Sequence, residues 1–366
     1  MNHASSLFLM SAIGTAIAAF ALQCLFRQPE NAHAQRSTQL DGLRGILACA
    51  VVAHHFYYNF TWREGGVWGA NSLFIINLGA VSVSLFFLMS GYLHFIKICH
   101  TPQMNWRAFY IARAKRIYPL YVAVWGVVLA ITLWFKPVNF NNFGELMQFS
   151  YQWLLFQNVG FQGFQSHLII AGVQWTLVYE WAVYAIMPLI HMIYHRKITF
   201  QPAAWLAIAV AWWIVLWHSE WRYYWLFVLA LPALVFAKPI QAALKRFPII
   251  IHVFMLILTA YIFTQTVAYS WEQRLLLAVW FAVVVQGYSF ANLLNHWGLR
   301  QLGDLSYALY LTHGMVIFMW FGVWKMFEFK QQNFIGYLWH FPVILAVALV
   351  LAYVGNRFVA MPFVKK

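Results

Sequence analysis

Residues 40–56 read LDGLRGILACAVVAHHF, an apolar stretch that also carries Asp41, Arg44, His54 and His55. Arg44 and His55 are separated by about three turns of an α-helix, so the two side chains share one helix face. Asp41 precedes Arg44 by three residues, a spacing that predicts an ion pair on that face. His54 is turned about 100° away and is expected to meet another helix. The stretch therefore predicts a helix that joins a cation near one end to a deeply placed imidazole.

The composition places this helix in a lipid bilayer. Of the 366 residues, 63% are hydrophobic and only 9% are charged, whereas soluble domains carry roughly a quarter charged residues. The net charge of +14 does not indicate a nucleic-acid partner, because the basic residues are spread through short loops between apolar runs. That distribution is typical of a multi-pass membrane protein with positively charged cytoplasmic loops.

Eleven segments have the length and apolarity to cross a bilayer. They are 5–26, 40–60, 77–98, 117–135, 172–194, 203–218, 223–237, 248–267, 274–291, 303–324 and 336–357. With the C-terminus in the cytoplasm, most of the 23 Lys and Arg residues lie on the cytoplasmic side, and this asymmetry sets the predicted orientation. The non-spanning stretch 136–171 is expected to include one interfacial or re-entrant helix on the outer side.

The N-terminal segment has two interpretations. The apolar run 7–22, followed by NAHAQ, has the form of a signal peptide cleaved after Ala34. However, Arg27 and Arg36 follow the run and none precedes it, which favours an uncleaved helix with its N-terminus outside. We therefore predict an all-α transmembrane bundle of about 11 spans. Residues 1–39 form an extra helix with a cytoplasmic linker, and 40–366 form the main transmembrane domain.

A few polar residues within or beside the spans are candidates for chemistry. Glu180 is the only one of the nine acidic residues that lies deep in a predicted span, and ionisable groups in spans usually mark a polar pathway or site. Arg113, Lys115 and Arg116 form the densest basic group at a cytoplasmic helix mouth; ordinary membrane anchoring is the alternative explanation. The three cysteines show no spacing typical of a disulfide framework or a metal site, so no metal is predicted.

Five motifs resemble those of the acyltransferase-3 family of bacterial membrane O-acyltransferases. The opening stretch is similar to the family's first core helix, including its arginine, ten residues, histidine pattern at Arg44 and His55. The other four blocks are VSLFFLMSGYL (83–93), FYIARAKRIYPLY (109–121), WTLVYEWAVYAIMPL (175–189) and LGDLSYALYLTH (302–313). All five occur in the family's order. Thr176 stands where the family usually has serine.

The resemblance implies a ten-helix core, which makes the helix at 5–26 an addition, and an acyltransferase domain over 40–366. It implies transfer of an acyl group, usually acetyl, from cytoplasmic acyl-CoA to a hydroxyl of an extracytoplasmic glycan or lipid-linked saccharide. Acetyl-CoA is then a co-substrate, with no bound cofactor and no nucleic acid. The expected location is the bacterial inner membrane.

The site residues follow from this reaction. A hydroxyl that attacks a thioester needs a base with a pKa near operating pH, and His55 is the predicted base. Arg44 and Glu180 are predicted supporting catalytic residues, with Glu180 a candidate to hold the His55 tautomer. Arg113, Lys115 and Arg116 are predicted to bind the phosphates of acyl-CoA. Possible substrate-lining residues are Asp41, Ser90, Tyr92, Trp175, Tyr307, Tyr310 and His313.

Three alternatives remain open at the level of sequence, and one of them is an acyltransferase whose acceptor is cytoplasmic or an amine. A multi-pass transporter or exporter would use the same intramembrane polar face to move a substrate without changing it chemically. Each polar residue also has a structural explanation: Arg44 reaches the interface with its long side chain, and His55 or the stripe of Tyr307, Tyr310 and His313 makes hydrogen bonds in the core.

Overall fold

The chain is built from α-helices. The computed structural model describes residues 3–26, 38–139, 142–198, 200–217, 220–329 and 333–364. Within those ranges there is no β-strand, only an isolated bridge between Phe161 and Phe164. Most of the predicted linker, residues 27–37 with Ala34, lies outside the described ranges. The predicted all-α class is confirmed.

Every predicted span coincides with a helix or a short series of helices. The principal ones are α1 (His3–Leu25), α2 (Thr38–Gly65), α3 (Leu73–His100), α4 (Trp106–Phe135), α6 (Trp175–His195), α7 (Pro202–Trp217), α11 (Pro248–Gln265), α12 (Trp271–Val285), α13 (Trp297–Phe318) and α15 (Phe341–Val354). The short helices are α5 (Phe143–Leu154), α8 (Trp221–Val228), α9 (Leu231–Val235), α10 (Ala237–Arg246), α14 (Phe334–Leu338) and α16 (Met361–Val364). Helix α5 lies inside 136–171, where a short helix was predicted.

The predicted count of eleven spans is not confirmed. In the described part of the chain, seven helices are long and apolar enough to cross a membrane, or up to eight if a bent pair counts as one span. Helix α12 has 15 residues and α7 has 16, which is short for a bilayer. Predicted span 223–237 consists of α8 and α9, followed by a 63° bend into α10. Pro239 explains the bend, because its ring clashes with the carbonyl four residues earlier.

Glycines bring α2 and α13 into direct backbone contact. A methyl group on Gly303 of α13 would lie 2.0 Å from the carbonyl oxygen of Asp41, and one on Gly45 of α2 would lie 2.4 Å from the carbonyl oxygen of Leu299. Small residues at such positions allow membrane helices to approach closely. The contact matters for the site because α2 carries His55 and α13 carries His313.

Helix α1 packs onto the rest of the bundle. A methyl group on Gly298 would lie 1.8 Å from the carbonyl oxygen of Ala19, and Trp297 Nε1 donates a hydrogen bond of 2.7 Å to the carbonyl oxygen of Phe26. The opposite side of α1 exposes large apolar residues such as Phe20. Exposed apolar surface on these long apolar helices belongs in lipid. The protein is therefore a multi-pass integral membrane protein. The boundary near residue 40 and the orientation stay predictions.

Candidate active site

The polar face of α2 forms as the sequence predicts. Arg44 donates a 2.8 Å hydrogen bond to Asp41 Oδ1, which makes the expected ion pair. Asp41 is buried and is not among the residues that line a cavity. Arg44 lines one cavity of the described bundle, and His55 lines another, smaller one. The two ends of the α2 face, about 16 Å apart along the helix axis, therefore open into different cavities.

The larger cavity, which we call the cationic pocket, has a volume of about 250 Å³. Four basic side chains line it: Arg44 of α2, Lys97 of α3, and Arg113 and Arg116 of α4. The sequence did not indicate Lys97, because it lies on a different helix, α3. Only the packing of the helices shows that its side chain faces the same cavity as those of Arg113 and Arg116. Lys115 was expected with the arginines but is not among the lining residues. Clustered basic side chains of this kind suit an anion such as a phosphate.

Aromatic rings hold two of these cations in place. The guanidinium of Arg113 lies 5.2 Å from the ring centre of Phe109 and 5.7 Å from that of Tyr184. The ammonium of Lys97 lies 5.1 Å from the Phe109 ring. Such contacts stabilise a cation over the face of a ring. They order the side chains without neutralising their charge, so the cations stay available to a ligand.

Two buried nitrogens at this pocket have no hydrogen-bond partner in the described part of the chain: Arg113 Nε and His94 Nε2. His94 Nδ1 lies 2.5 Å from the carbonyl oxygen of Ser90. Because a carbonyl oxygen only accepts, Nδ1 carries the proton and Nε2 is an acceptor. The pocket therefore offers a buried donor and a buried acceptor, an arrangement that suits an amide-containing ligand.

Glu180 lies in the cationic pocket and not beside His55. Its Oε2 accepts a 2.8 Å hydrogen bond from Tyr184, one turn later on α6. The suggestion that Glu180 holds the His55 tautomer is therefore wrong in this structure, because the two residues line different cavities. Its supporting catalytic role stays a prediction.

The partner of His55 is His313. Nδ1 of His55 lies 3.0 Å from Nε2 of His313, and Nδ1 of His313 lies 2.9 Å from the carbonyl oxygen of Leu309. The carbonyl only accepts, so in the neutral pair His313 Nδ1 is protonated and its Nε2 accepts the proton of His55 Nδ1. The lone pair of His55 is then on Nε2. The arrangement leaves His55 in the tautomer needed by a general base.

His54 points to another helix, as predicted. Its Nδ1 donates a 2.9 Å hydrogen bond to the carbonyl oxygen of Ile75, and a methyl group on Gly79 would lie 2.8 Å from its ring. Gly79 therefore lets the imidazole pack directly on α3. His54 also lines the smaller cavity of about 140 Å³, which we call the histidine pocket. Trp175 lines this pocket as well.

Tyr310 lies at the boundary between the two pockets, with Val83 as the other residue that lines both. The Tyr310 hydroxyl lies 3.1 Å from the hydroxyl of Thr176 and 3.1 Å from the carbonyl oxygen of Val173. Thr176 stands where the resemblance led us to expect serine, and it keeps the hydroxyl that makes this contact. The cationic pocket and the histidine pocket are therefore adjacent compartments with Tyr310 and Val83 between them.

The remaining predicted lining residues divide by position. Ser90 and Tyr307 line the cationic pocket, and the Tyr307 hydroxyl donates a 2.8 Å hydrogen bond to the carbonyl oxygen of Ile117. Tyr92 faces away from both pockets and packs edge-on against Phe281 of α12, with ring centres 5.7 Å apart. Tyr92 is therefore a core residue, because it lies about half a helix turn beyond Ser90.

The apolar helices of this membrane protein enclose adjacent cationic and histidine pockets. The sequence model described as an acyltransferase domain matches residues 37–357. The chain therefore belongs to the acyltransferase-3 family, as its motifs indicated. The enzyme class predicted from the sequence, acyltransferase, is the class of this family.

Relatives with curated names point to glycan chemistry. The chain is 24% identical over 368 residues to the putative peptidoglycan O-acetyltransferase YrhL of Bacillus subtilis, covering 88% of this chain and 54% of the relative. It is 27% identical over 164 residues to the peptidoglycan O-acetyltransferase OatA of Listeria monocytogenes, covering 41% of this chain and 23% of the relative. It is 30% identical over 169 residues to O-acetyltransferase OatA of Staphylococcus aureus, covering 44% of this chain and 26% of the relative.

These relatives are longer proteins, and the chain spans about half of one and about a quarter of the other two. No solved structure matches the chain.

Proposed function

We propose that this protein transfers an acetyl group from acetyl-CoA in the cytoplasm to a hydroxyl of an envelope glycan, within a bacterial cytoplasmic membrane. The observation that carries the proposal is the pair of adjacent compartments: four basic side chains line one, the His55–His313 pair serves the other, and Tyr310 lies between them. A reaction that joins a phosphate-bearing donor to a neutral hydroxyl acceptor needs this combination. The printed names of the relatives support a glycan as the acceptor.

The cationic pocket is the proposed donor site. Phosphates of acetyl-CoA would pair with Lys97, Arg113 and Arg116, whose charges face the same space. The pantetheine arm contains amides, and their N–H and C=O groups would satisfy His94 Nε2 and Arg113 Nε, the acceptor and donor that lack protein partners. The thioester would then reach toward Tyr310 and the histidine pocket.

The proposed chemical step occurs at His55. The acceptor oxygen attacks the thioester carbonyl carbon as His55 Nε2 takes the hydroxyl proton, which forms a tetrahedral intermediate. When this collapses, the carbon–sulfur bond breaks and the proton passes from His55 to the leaving thiolate, so the products are an O-acetyl ester and free CoA. His313 holds the His55 proton on Nδ1 throughout. Arg44 and Glu180 are proposed to support the reaction from the cationic pocket.

The decisive experiment follows both products of this reaction. Membranes that contain the full chain are supplied with acetyl-CoA and peptidoglycan fragments, and released CoA and ester-linked acetyl are measured together. We expect His55→Ala to lower turnover by roughly 10² to 10⁴-fold, because that is the usual contribution of a general base. Unchanged protein level and membrane insertion are the control. A variant that turns over like the wild type would exclude His55 as the base.

A further inference from the structure

Aromatic side chains form one wall beside His55. The indole of Trp68, in the loop between α2 and α3, lies nearly parallel to the His55 ring, with 6.2 Å between centres and 28° between planes. Tyr58 lines the histidine pocket and meets Trp68 edge-on at 5.9 Å. Both side chains are partly exposed. The imidazole that we propose as the base therefore lies next to an accessible aromatic surface.

A second aromatic wall faces the same pocket from other helices. Trp175 of α6 and Tyr269 from the loop before α12 both line the histidine pocket. Tyr223 of α8 joins them, with its ring centre 4.8 Å from Trp175 and 4.9 Å from Tyr269. The wall is therefore continuous, although its members come from three separate parts of the chain.

Tyr269 is held in a conformation that a residue with a side chain rarely adopts. Its φ is 57°, in the left-handed region. Its N–H donates a 2.8 Å hydrogen bond to Gln273 Oε1. The buried Gln273 in turn donates to Asn77 Oδ1 at 2.8 Å and to Thr266 Oγ1 at 2.9 Å. Backbone strain persists where the surroundings enforce it, commonly at ligand sites. A buried amide network thus holds the backbone at Tyr269.

We infer that the histidine pocket, whose lining includes Tyr58, Trp175 and Tyr269, binds a pyranose ring of the acceptor glycan. The inference rests on the proposed function and assigns its acceptor site. Aromatic faces carry partial negative charge and attract the C–H bonds on the flat faces of a sugar. The hydroxyls of Tyr58 and Tyr269 make no hydrogen bond within the described residues, so they are available to sugar hydroxyls. The bound ring presents one hydroxyl to His55 Nε2.

The test measures glycan binding without catalysis. Chitotetraose, a soluble β-linked N-acetylglucosamine tetramer, is titrated by equilibrium dialysis against the full chain in lipid nanodiscs, in a His55→Ala background without acetyl-CoA. We expect Tyr269→Asn and Trp175→Ala each to weaken binding by about tenfold, because each removes one aromatic face. Asparagine tolerates the left-handed backbone, so the loop keeps its shape. Tyr269→Phe, which keeps the ring, should bind within about threefold of the His55→Ala parent.

Matched controls lie on exposed parts of the bundle. Tyr151 of α5 and Trp134 of α4 are 59% and 84% exposed, so Tyr151→Asn and Trp134→Ala should bind chitotetraose as the parent does. Trp175 takes no part in the amide network around Gln273. The Trp175→Ala variant therefore still tests the inference if Tyr269→Asn does not fold. Parent-like binding by folded Trp175→Ala, or no binding by the parent, would overturn the inference. Failure of the proposed acetyl transfer would give a different result. The wild-type protein would then bind chitotetraose but release no CoA from acetyl-CoA.

Discussion

At the scale of single residues, two hydrogen bonds decide which nitrogen of His55 is available. The Leu309 carbonyl orients His313, and His313 orients His55. The arrangement resembles catalytic sites in which a second group fixes the tautomer of a histidine base. In this protein the second group is another imidazole from α13. The carboxylate that the sequence offered, Glu180, lies in the neighbouring pocket.

Replacement of His313 distinguishes orientation of His55 from simple packing. His313→Leu removes the acceptor for His55 Nδ1–H, and we expect kcat to fall by at least about tenfold, with little change in the KM for acetyl-CoA. His313→Gln offers an amide oxygen and should recover part of the lost kcat. The measurement is CoA release as a function of donor concentration. Equal losses in the two variants would show that His313 only fills space.

Neutralisation of the cationic pocket tests its proposed role. Lys97, Arg113 and Arg116 line the pocket, whereas Arg107 is exposed on the same α4 helix. The combined change of the three lining cations to Gln should raise the KM for acetyl-CoA by at least about tenfold, because charge-assisted hydrogen bonds to phosphate are lost. Arg107→Gln is the matched control and should keep the KM. If the KM for acetyl-CoA is unchanged in the triple variant, these three residues serve only to anchor their helices at the membrane surface.

At the scale of secondary-structure elements, the close contact between α2 and α13 places the two histidines within hydrogen-bond distance. Gly303 lies against the Asp41 carbonyl, and Gly45 lies against that of Leu299. Larger residues at these positions would force the helices apart. The distance between His55 and His313 therefore depends on small residues about two to three turns away from either ring.

Gly303→Ala is expected to damage both stability and activity. The added methyl group would lie 2.0 Å from a backbone oxygen, and overpacking of this kind typically costs about 1–3 kcal/mol. The thermal unfolding midpoint in detergent should fall, and CoA release should fall with it. Gly126→Ala on α4 is the control, because nothing lies within 4 Å of a methyl group there. A Gly303→Ala protein with wild-type stability would show that α2 and α13 adjust without cost.

At the scale of the whole molecule, the proposed reaction requires the cationic pocket to open toward the cytoplasm and the histidine pocket toward the outside. The distribution of Lys and Arg among the loops predicts this orientation. Reporter fusions after residues 30 and 366 should therefore both report the cytoplasm. A fusion after residue 366 that reports the outside would reverse the orientation and remove the basis for a cytoplasmic donor.

The sequence by itself determined the membrane class, the all-α fold, the family and the Arg44–His55 face of α2. These are local or compositional properties, because apolarity, helical periodicity and short motifs can be recognised without knowledge of how the helices pack. The predicted count of eleven spans is not confirmed, because several apolar segments form helices shorter than a bilayer or bend at a proline. Length and apolarity alone do not show where a helix stops.

Only the tertiary structure decided which residues share a pocket. Lys97 joined the arginines of α4, Tyr92 turned into the core, and Glu180 proved to lie apart from His55. The physical reason is that a helix face gains its neighbours from the packing of other helices, which depends on glycine contacts far along the chain. The partnership of His55 with His313, 258 residues later, is the clearest case, since no local pattern joins them.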